Sequence, residues 1–315
     1  MVLYSIVIPV YNAEKSLKPL HDRISNVFET IIKEPFELVL VDDSSTDGSY
    51  QVIKELANAD NRVTGIQLAK NHGQQKAVLC GIRYAKGDFI ITMDDDLQHP
   101  PEEIPVLIEK INGSNDIDVV VGAYAVKKHG LIRKMGSRLM DFSSNLIFKK
   151  PKGLKLTSFR IMRRFVADSL NTVSIFSPTV GPLLLQTTTR IVNVTIRHDE
   201  RYFGRSGYTF KKLCRIFIKN VLTNSDIPLK IIGNIGILSF VPSIFLILYY
   251  LLKFLIHGSS IHGWTTSIIL ILFFGGTILF SIGIIGHYLA NIMQETKKMP
   301  PFIIRRIDTN NKEEK

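Results

Sequence analysis

The chain is poor in cysteine. Cys80 and Cys214 are its two cysteines in 315 residues, too few and too isolated for a disulfide framework or a zinc site, so free, reduced thiols are expected. Acid is also in short supply: 28 Asp and Glu against 39 Lys and Arg leave a formal net charge of +11. Such an excess needs a polyanionic partner or a membrane surface. No helix-turn-helix, zinc-finger or RNA-recognition pattern accompanies it, so nucleic acid is not the expected partner. The basic residues gather at about 127–164 and 197–230, which suits anionic membrane lipids or a phosphorylated lipid. There is no internal repeat, and low complexity is confined to the tail 310–315. No cleavable signal peptide is expected, because Met1 leads almost directly into a strand-like run ending at Pro9.

Charge is missing altogether from two long runs. Residues 231–252 carry no charged side chain, and neither do 265–294 with His287 neutral. Each run exceeds the ~20 apolar residues that cross a bilayer. The short link 253–264 suits a hairpin of two transmembrane helices, expected at about 231–256 and 265–293. Lys211, Lys212, Arg215, Lys219 and Lys230 precede the pair, Lys297, Lys298, Arg305 and Arg306 follow it, and the link has Lys253 alone. The positive-inside rule then puts both flanks in the cytoplasm. The expected organisation is a cytoplasmic domain 1–225, a membrane hairpin 226–296 and a cytoplasmic basic tail 297–315.

The first 125 residues alternate between strand and helix signals. Strand-like runs lie at 4–10, 36–41, 63–68, 89–93 and 118–122, with helix-like stretches at 16–32, 49–58, 74–85 and 102–111 between them. This pattern predicts an α/β, Rossmann-like domain with a mostly parallel sheet. From about 130 the pattern turns basic and amphipathic, with Ile132, Met135, Leu139, Phe142 and Leu146 at helical spacing and similar character at 210–222. Such helices can lie in the membrane interface or pack on the domain with a solvated basic face.

Two acidic clusters end predicted strands. Asp94-Asp95-Asp96 follows the apolar run 89–93, and Asp42-Asp43, with Asp47 beyond, follows 36–41. Either alone reads as a solvated turn. Both together put carboxylates at the C-terminal ends of strands, where open α/β sheets bind ligands. Carboxylates crowded at the end of a buried strand call for a hard cation with oxygen ligands.

With these features in place, five stretches resemble the family 2 glycosyltransferases, and among them the polyprenyl-phosphate branch with its bacterial undecaprenyl-phosphate members. They are the runs Ile6-Val7-Ile8-Pro9-Val10-Tyr11-Asn12, Asp42-Asp43-Ser44-Ser45-Thr46-Asp47-Gly48 and Asn71-His72-Gly73-Gln74. The fourth runs from Gly87-Asp88 through Asp94-Asp95-Asp96-Leu97-Gln98-His99-Pro100-Pro101-Glu102, and the fifth is Arg201-Tyr202-Phe203-Gly204-Arg205-Ser206-Gly207-Tyr208. The resemblance implies a GT-A-type domain that binds a nucleotide sugar, UDP-linked by expectation, and transfers the sugar with inversion. It implies that Pro9, Tyr11 and Asn12 line the nucleotide pocket, that Asp42 or Asp43 contacts the base or ribose, and that Asp95 and Gln98 lie beside the sugar or metal. Asp94 and Asp96 would hold Mg²⁺ or Mn²⁺ against the diphosphate. Arg201, Arg205 and Ser206 would sit near the diphosphate and the acceptor phosphate, with Ser158, Arg160, Arg163 and Arg164 as further candidates for contact with a lipid phosphate. A homotetramer in the inner membrane is a further implication.

Two departures stand out. Ser158, in Thr157-Ser158-Phe159-Arg160, occupies the place where the family usually carries an acidic catalytic base, and the usual Gly-Ser/Thr-Arg reads Gly122-Ala123-Tyr124. A lipid monophosphate has a second pKa of about 6 and attacks without first losing a proton, whereas a hydroxyl acceptor needs a base. Three functions stay open: transfer to polyprenyl phosphate, transfer to a glycan or lipid-linked saccharide, and a non-catalytic membrane assembly subunit with a degenerate transferase domain.

Overall fold

The computed structural model describes residues 2–124, 150–151, 153–172, 179–197, 228–234, 263–296 and 300–310, with isolated positions between 238 and 256. The chain forms two compact units. The first takes in Met1–Lys134, Ser144–Gly207 and Lys298–Lys315, and the second Met135–Ser143 and Tyr208–Lys297.

The first unit is a three-layer α/β structure. Its elements are β1 (Tyr4–Val10), α1 (Glu14–Val27), β2 (Phe36–Asp42), α2 (Ser49–Ala59), β3 (Val63–Leu68), α3 (Gln74–Tyr84), β4 (Phe89–Thr92), α4 (Ile104–Asn112), β5 (Val119–Tyr124), β6 (Arg160–Arg163), α5 (Arg164–Thr172), α6 (Val180–Thr187), β7 (Ile191–Ile196) and, near the C-terminus, β8 (Ile304–Thr309). β1 and β2 are buried at every residue, because helices cover both faces of the sheet. Leu17, Leu20 and Ile24 of α1, Ile53 and Leu56 of α2, and Ile104 and Leu107 of α4 fill one face. Val78 and Ile82 of α3, Val166 and Leu170 of α5, and Val180, Leu183 and Leu184 of α6 fill the other. The i, i+3, i+4 spacing of these residues gives each helix one apolar stripe. Gly81 lets α3 lie close on β1, since a Cβ there would stand 2.3 Å from Val7 Cγ1.

The sheet runs β7-β5-β6-β4-β1-β2-β3-β8. It is mixed: the strands expected from the sequence pair in parallel, and the antiparallel pairs all involve β6 or β8, which the pattern did not give. β1 pairs in parallel with β2 and β4, β2 with β3, and β5 with β7. β6 lies antiparallel between β4 and β5, and β8 is antiparallel on β3. β6 escaped the sequence pattern because its four residues are Arg160-Ile161-Met162-Arg163, too short and too basic to read as a central strand.

The second unit is described by a helical stretch at 228–234 and by α7 (Trp264–Thr296), 33 residues long. Side chains of α7 are described only in part, and among the described residues no helix is long and apolar enough to cross a membrane. The first expected span and the two basic amphipathic helices at 132–146 and 210–222 lie largely or wholly outside the described residues.

Candidate active site

The register of the parallel strands sets three strand ends side by side. Val10 pairs with Asp42, and Val7 with Thr92. The chain leaving β1, β2 and β4 therefore brings Tyr11, Asp43 and the three consecutive aspartates to one edge of the sheet. With Pro9, Asn71, Gly73 and Gln74 they line a cleft of about 300 Å³. A neighbouring cleft shares Tyr11, Asp95 and Asp96 and adds Asn12, Lys15 and Asp47.

The acidic cluster after β2 is turned inward. Asp42 is fully buried; its Oδ1 accepts the Ser45 N–H at 3.0 Å and its Oδ2 accepts from Gln67 Nε2 at 3.2 Å. Asp42 therefore has no surface with which to touch a nucleotide, which corrects that part of the expectation. Asp43 lines the cleft, yet its two oxygens accept the N–H groups of His72 at 2.7 Å and Gly73 at 2.8 Å. Burial raises its pKa, and those two bonds oppose the rise. Gly73 has φ +91°, a conformation that suits glycine. Asn12 latches the opposite wall, its Oδ1 accepting the Thr46 N–H at 2.9 Å while its own N–H donates to Ser45 Oγ at 3.0 Å.

The cluster after β4 is turned toward the cleft, and all three aspartates are half-buried. Asp94 accepts from Gln74 Nε2 and from Ser158 Oγ, both at 2.6 Å, and His99 Nδ1 stands 3.9 Å from it. Asp95 accepts the Tyr11 N–H at 3.1 Å, and Asp96 accepts the Gln98 N–H at 3.1 Å. Burial pushes the Asp95 carboxyl up to about 7, against the Tyr11 bond and with a further rise from Asp94 and Asp96. Among the described residues no three His, Cys, Asp or Glu side chains form an all-protein metal cage. Oxygen donors at the floor of an open cleft instead suit a hard cation that keeps room for substrate phosphates and water.

The three arginines assigned to a lipid phosphate have other work. Arg160 is 3% exposed; its Nε donates to Thr92 Oγ1 at 3.1 Å and its Nη1 is buried with no hydrogen-bond partner. Burial pushes its pKa down to about 10, opposed by the nearby Asp94. It is a countercharge beneath the acidic cluster and cannot meet a lipid at the surface. Arg163 donates to the carbonyls of Ile111, Ser114 and Ile117, and Arg164 to those of Ala85 and Gly87. Arg201, Arg205 and Ser206 lie outside the described residues.

Gln74 and His99 belong to quoted motif stretches but had no assigned role at Asp94. His99 is buried and stacked between Tyr124 and Phe159, with ring centroids at 5.7 and 5.3 Å. A polar residue at a helix start, such as Gln74 on α3, gives no sign in sequence of which carboxylate it meets. A larger groove of about 700 Å³ is lined by Asn115, Asp118, Arg163, Phe165, Thr188 and Arg190, among others. It sits where β5 and β7 begin, away from the converging carboxylates, and Arg163 in it is already engaged with carbonyls.

The Glycosyl transferase family 2 model matches residues 5–170, the segment that carries both acidic clusters and Ser158. The chain belongs to glycosyl transferase family 2. It is a glycosyltransferase with an α/β, GT-A-like fold built on a mixed sheet. It is 33% identical to an uncharacterised glycosyltransferase, YkcC, of Bacillus subtilis, over 97% of this chain and 94% of that one. It is 31% identical to the undecaprenyl-phosphate 4-deoxy-4-formamido-L-arabinose transferase of Photorhabdus laumondii, over 98% of this chain and 95% of that protein. Among solved structures, glucosyl-3-phosphoglycerate synthase of Mycobacterium tuberculosis, crystallised with Mn²⁺, UDP-glucose and phosphoglyceric acid, superposes with a TM-score of 0.51 at 18% identity, covering 71% of this chain and 79% of that one. At that identity the likeness speaks for the fold.

Proposed function

We propose that this family 2 enzyme transfers one sugar from a UDP-linked donor to a polyprenyl phosphate, undecaprenyl phosphate in a bacterium, at the cytoplasmic face of the membrane. The observation that carries the reading is the cleft floor: three aspartates at one strand end, with a serine hydroxyl where a carboxylate base is usual. Asp94 and Asp96 would hold Mg²⁺ or Mn²⁺ with the donor diphosphate completing its shell. The metal would stabilise charge on the departing diphosphate as a Lewis acid. Tyr11 and Asn12 form one wall of the nucleotide pocket, Asp43 holds the other through His72 and Gly73, and Gln74 and Ser158 fix the Asp94 carboxylate. An ionised phosphate nucleophile needs no proton acceptor, so the 2.6 Å bond between Ser158 and Asp94 is compatible with turnover.

The membrane hairpin is part of the proposal. α7 is 33 residues long, carries no charged residue from 265 to 294, and exposes Ile271, Leu279, Phe280, Leu289 and Ile292 on several sides. The uncharged sequence 265–294 has the length of a span at ~1.5 Å per residue, and it is this sequence, not the described side chains of α7, that supports the hairpin. Arg201, Arg205 and Ser206 remain the proposed contacts for the acceptor phosphate.

The test is transfer by purified protein from a panel of labelled UDP-sugars to undecaprenyl phosphate, with Mg²⁺ or Mn²⁺. A metal-dependent glycolipid is expected with one donor. Metal-dependent UDP binding without any lipid product would overturn the acceptor assignment.

A further inference from the structure

The tail beyond α7 returns to the catalytic sheet. Phe302 is buried in the core and β8 pairs with β3 from Thr64↔Thr309 to Leu68↔Ile304. Tyr50 donates to Asp308, and Arg306 lies over the Tyr50 ring while its Nε donates to Gln67 Oε1 at 3.1 Å. Just before β8, Ile303 grips the next loop at two points. Its carbonyl accepts the Ala69 N–H at 2.8 Å, and its N–H donates to His72 Nε2 at 3.3 Å.

That loop, 69–74, is a wall of the donor cleft. His72 and Gly73 donate to Asp43, Asn71 and Gly73 line the cleft, and Gln74 donates to Asp94. The tail is therefore tied by hydrogen bonds to loop 69–74, and the loop in turn to two acidic residues of the cleft. The arrangement requires an unprotonated Nε2. Burial, with Lys76 and Lys70, lowers the His72 pKa against a smaller opposing pull from Asp43, which favours the neutral ring.

We propose that β8 is an integral part of the nucleotide-sugar site, and that His72 is the positioning residue through which it fixes loop 69–74. The inference rests on the donor reading above and not on the acceptor. Without the tail, β3 would be an exposed edge strand, and loop 69–74 would lose both of its bonds to Ile303. Misplacing a positioning group by about 1 Å can cost as much as 10²-fold.

The test titrates UDP with Mn²⁺ into full-length protein in detergent, comparing wild type, His72→Ala and His72→Gln, with thermal midpoints alongside. Glutamine keeps an acceptor near the place of Nε2. His72→Ala should weaken UDP about 10-fold, the low end for loss of a supporting partner, while His72→Gln restores most of the affinity. Ile303→Pro, which removes the donor N–H, should reproduce the alanine defect. UDP affinity unchanged in His72→Ala, or glutamine no better than alanine, overturns the proposal. A wild type that binds UDP yet glycosylates no polyprenyl phosphate would overturn the acceptor assignment and leave this comparison intact.

Discussion

The two acidic clusters look alike in sequence and differ in the fold. Both follow buried parallel strands, and both lie at the same edge of one sheet. Asp42 and Asp43 spend all four oxygens on Ser45, Gln67, His72 and Gly73. They convert charge into loop shape. Asp94, Asp95 and Asp96 face the cleft half-buried, and they are crowded enough that burial and mutual repulsion push Asp95 up to about 7. Asp94 too has a donor on each oxygen, but from the side chains of Gln74 and Ser158, whereas Asp43 is held by two backbone N–H groups. Carboxylates that crowd one another at a cleft are poised for a cation.

The largest effect that would sharpen this contrast is on Asp96→Asn. Because Asp96 is a proposed metal ligand worth several kcal/mol, its loss should lower kcat/KM about 10²–10³-fold, with the thermal midpoint near wild type. Asp42→Ala should do the converse, costing about 1–3 kcal/mol of stability by leaving buried donors unmet, as read by urea unfolding. Arg160→Met tests the buried countercharge. Replacing a buried charge with an apolar side chain need not destabilise the fold, but transfer should fall about 10-fold as Asp94 loses its support. Ser158→Ala removes one hydrogen bond from Asp94 and should slow transfer only about fivefold, the size of ~1 kcal/mol. Complete loss of activity would instead make Ser158 essential to the chemistry.

The last effect is one of pH, and Asp95 and Asp47 should differ in sign. Asp95 is raised from 3.8 to about 7, so between those values the folded state holds more protons than the unfolded state. Its contribution makes stability fall as pH rises from about 4 to 7 and level off above. Asp47 is lowered: burial raises it, but hydrogen bonds from Ser49 and Glu14 outweigh that. Its contribution is present above the unfolded value and is lost as pH falls below it. Thermal midpoints in a metal chelator should lose the slope above pH ~4 in Asp95→Asn and the slope below it in Asp47→Asn.

Much of the donor side was legible because its signals are local. The runs read as strands at 4–10 and 63–68 are β1 and β3 residue for residue; β1 is buried throughout, while Val63, Ile66 and Leu68 carry the apolar signal of β3. The aspartates after β4 were legible for the same reason. What was not legible depends on partners far apart in the chain. β6 and β8 are short and arginine-bearing, and they are strands because β4, β5 and β3 offer them open edges. Arg160 reads as a surface phosphate ligand until the sheet closes over it. Likewise, the roles of Asp42 and Asp43 are not legible until Gln67 of β3 reaches the first and loop 69–74 folds back on the second.

The most direct test of the contrast is Mn²⁺-dependent UDP binding by wild type, Asp96→Asn and Asp42→Asn, with unfolding measured on each. The account predicts that Asp96→Asn abolishes the metal dependence while keeping wild-type stability, and that Asp42→Asn loses stability while still binding UDP with metal. Metal-dependent binding intact in Asp96→Asn and lost in a stably folded Asp42→Asn would contradict it.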